Sequence, residues 1–104
     1  MNPHAVIAAL ADPTRFAVLE RLAGGGVASV AALAREFPVS RQAIAKHLAV
    51  LLDTALVRPV RQGRELTYLA APQQLLDTGT WLAARAGAWD ARLVAIKALA
   101  ETGP

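Results

Sequence analysis

Between Ser29 and Leu51 the chain reads SVAALAREFPVSRQAIAKHLAVL, two helical segments with only a tight turn between them. Ser29 suits an N-cap, and Val30, Leu33, Ala34 and Phe37 follow the i, i+3, i+4, i+7 spacing of one apolar helix face. Pro38 disfavours helical geometry at Phe37 and so stops the ladder. Ser40 then caps a second helix whose Ile44, Leu48 and Leu51 share a face. So short a link predicts a helix-turn-helix unit over about 29–53, with Pro38 replacing the glycine usual in such turns. The whole chain is 104 residues, one small domain. Its hydrophobic fraction of 55 % is large for that length and predicts an interface, hence an oligomer.

The flanking segments are read from their punctuation. Asn2-Pro3 and Asp12-Pro13 each pair an N-cap residue with a proline in the first helical turn. The first helix, about 3–11, offers Val6, Ile7 and Leu10. The second offers a stripe of Phe16, Leu19, Leu22 and Ala23 and ends at Gly24-Gly25-Gly26. After Asp53-Thr54 the pattern turns β-branched and aromatic around Gln62-Gly63, which predicts a hairpin of two strands, about 57–61 and 65–70, within a segment of about 56–70. Pro59 cannot donate to a ladder, so its strand belongs at an edge. From about 73 to 101 a single helix is predicted, on the order of 40 Å long. In it Leu75, Leu82, Trp89 and Ile96 recur by sevens, as do Gly79, Ala86, Leu93 and Ala100. Such a stripe asks for a partner helix, and a kink near Gly87 is compatible with the sequence.

Charge is placed unevenly. The net charge is +3, yet residues 35–64 alone carry +4, with Arg35, Arg41, Lys46, Arg58, Arg61 and Arg64 against Glu36 and Asp53. A local basic footprint fits nucleic acid. Opposite its apolar face the fourth helix presents Gln42, Ala43 and Lys46, flanked by Arg41. The small alanine would let this face enter a major groove, where glutamine can pair with adenine and lysine reach phosphate. Ser40 can donate to a phosphate at the helix N-terminus. At the hairpin tip, Arg61-Gln62-Gly63-Arg64 sets two guanidinium groups beside a turn, fit to lie along a backbone or enter the narrower groove. Solvation of the helix, and protection of an edge strand by charge, are the competing explanations.

Other chemistry finds little support. There is no cysteine, and His4 and His47 sit on different helices without ligand-type neighbours, so no metal site or cofactor is expected. His47, at the edge of the apolar face, suits a buried-edge hydrogen bond or a phosphate contact, whereas His4 is expected at the surface. Trp81 and Trp89 could line a ligand pocket but better suit interface anchors, with Arg85 four residues from each and able to stack on either. No set of groups for catalysis is visible, so an enzyme is not expected. No membrane span or secretory leader is read in the sequence, which makes a cytoplasmic location the expectation.

LADPTRFAVLERLA (10–23), VAALAREFPVSRQAIAKHLAVL (30–51), ALVRPVRQGRELTYL (55–69) and WDARLVAIKALAE (89–101) together resemble the ArsR family of winged helix-turn-helix regulators. The resemblance implies a mainly α fold with a small β-hairpin, the wing, and a homodimer joined by its first and last helices. It implies operator DNA as partner, contacted by Ser40, Arg41, Gln42, Lys46 and His47 of the fourth helix and by Arg61, Gln62 and Arg64 of the wing. The cysteine pair or His/Asp set of that family's metal sensors is missing from the corresponding helices. Val6, Ile7, Leu75, Leu82, Trp89, Leu93 and Ile96 are the expected dimer residues. The expected function is a homodimeric repressor of a palindromic operator, with an unidentified small-molecule effector compatible with it. The alternative is a winged-helix interaction module that dimerises without binding DNA.

Overall fold

The computed structural model describes residues 2–102. In chain order the elements are α1 (Pro3–Leu10), α2 (Pro13–Gly25), α3 (Val30–Glu36), α4 (Arg41–Asp53), β1 (Val57–Gln62), β2 (Glu65–Ala70) and α5 (Gln73–Thr102). Each of the four expected caps is made: Asn2 accepts from the amide of His4, Asp12 from Arg15, Ser29 from Ala32 and Ser40 from Ala43, all at 2.9–3.1 Å. Capping is a local interaction, so these starts follow directly from the sequence. The C-terminus of α1 is closed from a distance, by the Arg15 guanidinium donating to the carbonyls of Ala8 and Ala9. Arg21 donates to both carboxylate oxygens of Glu36 and to the Gly26 carbonyl, tying α2 to the end of α3.

The core is built from one side of each of the first four helices: Val6 and Ala9, then Val18, Leu19 and Leu22, then Leu33, then Ile44, Leu48 and Leu51, closed by Leu56, Val57 and Tyr68. Two expectations need correction. The buried stripe of α2 runs through Val18, and Phe16 is 43 % exposed while Ala23 is open to solvent. Phe16 and Val18 differ by about 200° on the helix, so only one can join Leu19 and Leu22. Val6, expected at a dimer surface, is fully buried in the core of its own chain and leaves no surface for a partner. Ile7 beside it remains 39 % exposed.

The hairpin has the expected strands, extended by one residue at Gln62, in antiparallel register with Gln62 opposite Glu65. Gly63, the first of the two loop residues, has φ +62, the left-handed value that a two-residue hairpin turn with glycine first requires. Tyr68 uses its backbone N–H and C=O on Ala28, making a short third rung beyond β2. Pro59 lies opposite Tyr68 on the outer strand β1, so its missing N–H removes no bond to β2.

α4 ends in a Schellman motif. The Leu56 amide donates to the Leu51 carbonyl at 2.9 Å and the Ala55 amide to that of Leu52 at 3.0 Å, with Ala55 in the left-handed region at φ +56. Alanine occupies a position that favours glycine, and the buried Leu51–Leu56 pair holds it there.

α5 runs unbroken through Gly79 and Gly87 and packs on α1 through its first three turns. Thr78 is buried there, and Trp81 meets the exposed His4 ring edge-to-face at 5.2 Å. From Leu82 to Glu101 every residue is exposed, and the chain is 73 Å long by 24 and 21 Å across. Among the described residues no helix is long and apolar enough to cross a membrane. Replacing Ala55 by Gly is expected to raise stability by about 0.5–1 kcal/mol, read as a shift of the denaturant midpoint at constant slope. A loss of stability would contradict the strained cap.

Candidate nucleic-acid interface

The outward side of α4 is set by its buried side. With Ile44, Leu48 and Leu51 at 0–1 % exposure, Arg41, Gln42, Lys46 and Ala49 must face solvent, and all four are exposed. Ala43, half-buried, leaves a shallow place between Gln42 and Lys46. Ser40 is exposed; its oxygen accepts from Ala43, and its hydroxyl proton stays available to an external acceptor. On the wing, Arg61, Gln62 and Arg64 are all exposed around the turn. Among the described residues, the side chains of Arg41, Gln42, Lys46, Arg61, Gln62 and Arg64 make no hydrogen bond or ion pair within the chain.

Two further basic residues share this exposure. Arg35 lies on α3 and Arg58 on the outer strand of the wing; both counted in the sequence's charge excess without being assigned a contact. Glu36, one of the two acidic residues in that stretch, is held by Arg21 at 3.0 Å. That pairing draws its charge toward α2. As an exposed pair it adds little stability, and its effect here is on local charge.

His47 is half-buried on α4 and makes no hydrogen bond among the described residues; it faces the charge of Asp12 at the start of α2. The Asp12 carboxyl is held below its ordinary value of 3.8, chiefly by the hydrogen bond from the Arg15 amide. Partial desolvation opposes this, and the nearby His47 and Arg15 charges add to it. Neither histidine joins a metal-type cluster, and among the described residues no three or more His, Cys, Asp or Glu side chains come together. Arg85 stacks over Trp81, 5.0 Å from the ring centroid, so of its two candidate rings it takes the half-buried one that meets His4 of α1.

Residues 10–60, from the last residue of α1 through α2, α3 and α4 and into β1, match the family described as a helix-turn-helix domain. The chain is 45 % identical to the HTH-type transcriptional regulator Rv2034 of Mycobacterium tuberculosis, over 71 % of this chain and 68 % of that protein. It is 30 % identical to the transcriptional repressor SdpR of Bacillus subtilis, over 74 % and 84 %. A solved ArsR-like transcriptional regulator from Rhodococcus sp. RHA1 superposes with a TM-score of 0.93 at 44 % identity, covering 97 % of this chain and 92 % of that one.

The chain belongs to the ArsR family of transcriptional regulators. It is therefore a transcriptional regulator with a winged helix-turn-helix DNA-binding domain, in a family of regulators and not of enzymes. Within this ArsR-family chain α4 is the second helix of the helix-turn-helix unit, and β1 and β2 are the wing.

The carboxylate cap of this regulator is pH-sensitive in one direction. Asp12 is lowered in the folded chain, so its contribution is complete above the unfolded value near 3.8 and is lost as pH falls through the lower folded value. Asp12→Asn keeps a side-chain acceptor for the Arg15 amide without the charge. The stability difference between the native chain and this variant, measured by denaturation at pH 7 and pH 3, should shrink at the lower pH. A difference that does not change with pH would contradict the assignment.

Proposed function

We propose that the protein is a sequence-specific repressor that acts as a homodimer on a palindromic operator. Two copies each lay α4 in a major groove, one helical turn apart, with Arg41, Gln42 and Lys46 toward base edges and phosphates. Ser40 donates to a phosphate at the N-terminus of α4, and His47 reaches the backbone from the edge of the helix. Arg61, Gln62 and Arg64 carry the wing along the duplex, where the narrower groove attracts guanidinium groups. The observation that carries this reading is the exposed basic set on α4 and the wing tip, left without a partner among the described residues. Repression is supported by the likeness to the repressor SdpR.

Joining of the copies is supported by α5, whose Leu82, Trp89, Leu93 and Ile96 are 48–65 % exposed along one stripe. Ile7 and Leu75 extend the stripe toward α1, and Val6 takes no part. Because α5 would set the distance between the two reading helices, any signal that alters its packing, a small-molecule effector included, would change affinity.

Replacing Lys46 and Arg64 together by Ala should leave the fold and its melting intact. It should weaken operator binding by roughly tenfold or more at moderate salt, and reduce the magnitude of the slope of log K against log salt by about 4, two contacts in each of two chains. A gel-shift titration across salt concentrations, on operator fragments selected from genomic DNA, makes the test. Unchanged affinity would refute the contacts, and a native chain with no salt-dependent binding to any duplex would refute the function.

A further inference from the structure

Between the end of α2, the second strand of the wing and the root of α5 lies an apolar cavity of about 400 Å³ that DNA binding leaves unused. Leu19, Leu22 and Ala23 of α2, Leu69 of β2, and Pro72 and Leu75 around the start of α5 line it, and its remaining wall is glycine and alanine. The volume falls within the roughly 300–1,000 Å³ of small-molecule sites. Gly26 forms part of the wall, where an added Cβ would meet no atom within 4 Å, so the turn after α2 lays no side chain into the space. Arg21 holds that turn by donating to the Gly26 carbonyl at 3.1 Å. The fold thus keeps the cavity open and does not fill it from its own chain.

A cation stands at its border. Ala71 and Pro72 separate the cavity from a second hollow, lined also by Ala55, Arg58, Gln73 and Gln74, and Arg58 is the one charged residue in either wall among the described residues. The hairpin register sets Arg58 opposite Leu69, so the two side chains share a face of the wing; Arg61, three residues on, belongs to the other face. Arg58 is exposed and makes no hydrogen bond or ion pair among the described residues. A polar guest such as a sugar would find no side-chain partner inside the cavity and would lose its hydration there. An apolar chain ending in one negative group finds both an apolar wall and a free guanidinium, which matches a carboxylate in geometry as well as charge.

The position joins the moving parts of a regulator. Of the residues expected to join two copies, only Leu75 lines this cavity; it also lines the separate groove toward Ile7 and Leu10 of α1. A guest behind Leu75 and against Leu69 therefore touches the root of α5 and the second strand of the wing at once. Differential contact of that kind is what lets a ligand shift one packing of a protein toward another.

We propose that this cavity binds a medium-chain monocarboxylate, its chain among Leu19, Leu22, Leu69 and Leu75 and its carboxylate at Arg58. This gives the unidentified effector a place and a chemical class. As an effector site it rests on the regulator reading, whereas binding itself needs neither the homodimer nor the operator and is measured without DNA. Calorimetric titration of the native chain with decanoate, kept below its micelle concentration, should show saturable binding of one molecule per chain. Arg58→Gln should weaken decanoate binding by about tenfold. Decanol, the same chain without the charge, should bind the native chain and Arg58→Gln alike. Ala23→Leu, at an exposed position of α2 where the larger side chain takes up cavity space, should weaken both ligands by about tenfold or more with melting unchanged. The site is refuted if decanoate shows no saturable binding or if Ala23→Leu leaves binding intact. The carboxylate contact is refuted if Arg58→Gln binds decanoate as the native chain does or loses both ligands equally. Each of these results leaves the gel-shift test of operator binding untouched, so the two readings fail separately.

Discussion

The burial of one side of α4 is the constraint on which the remaining geometry hangs. Ile44, Leu48 and Leu51 are removed from water together, against Leu22, Leu33 and Leu56, each contributing about 1.5–3 kcal/mol. Those contacts leave the helix no freedom to rotate about its axis. A rotation that exposed Ile44 would also carry Gln42 and Lys46 off the outer surface. The polar side of the helix is thus positioned by apolar contacts on the other side, and the Pro38 turn with its Ser40 cap fixes where that side begins.

The same core joins the reading helix to the two elements that follow. The end of α4 passes through Ala55 directly into Leu56 and Val57, both buried, so the wing starts from the core with no flexible linker between them. Tyr68 returns the second strand to Ala28, just ahead of α3, and the Ala71 amide donates to the Leu56 carbonyl at 2.8 Å, at the root of α5. α4, the wing and the root of α5 therefore meet around one short stretch, 54–57. In the proposed homodimer, a shift in how α5 packs would have a direct route to the wing through that junction.

What could be read in the sequence was whatever depends on near neighbours. Asn2, Asp12, Ser29 and Ser40 mark helix starts because a cap bonds an amide two or three residues on, and Gly63 marks the hairpin because the turn needs its backbone freedom. The exposed polar side of α4 followed from its spacing. Choices among apolar residues on short helices did not follow: Val6 over Ile7 and Val18 over Phe16 are decided by what packs opposite. Nor did the long-range ties of Arg15 to the end of α1 and Arg21 to Glu36, which look like surface charge until the chain is folded. The cap at Ala55 had no sequence signal, since alanine is the residue least expected to leave a helix there.

At about 45 Å, α5 is far longer than the body formed by α1 to α4 and the hairpin can cover, and from Leu82 to Glu101 it is exposed. Two joined copies that present α4 and the wing in pairs are the centre of this account. Hydroxyl-radical footprinting of a selected operator tests it most directly. Two protected half-sites related by two-fold symmetry, centred about ten base pairs apart, are expected when two chains bind each duplex. A single protected site bound by one chain would contradict it.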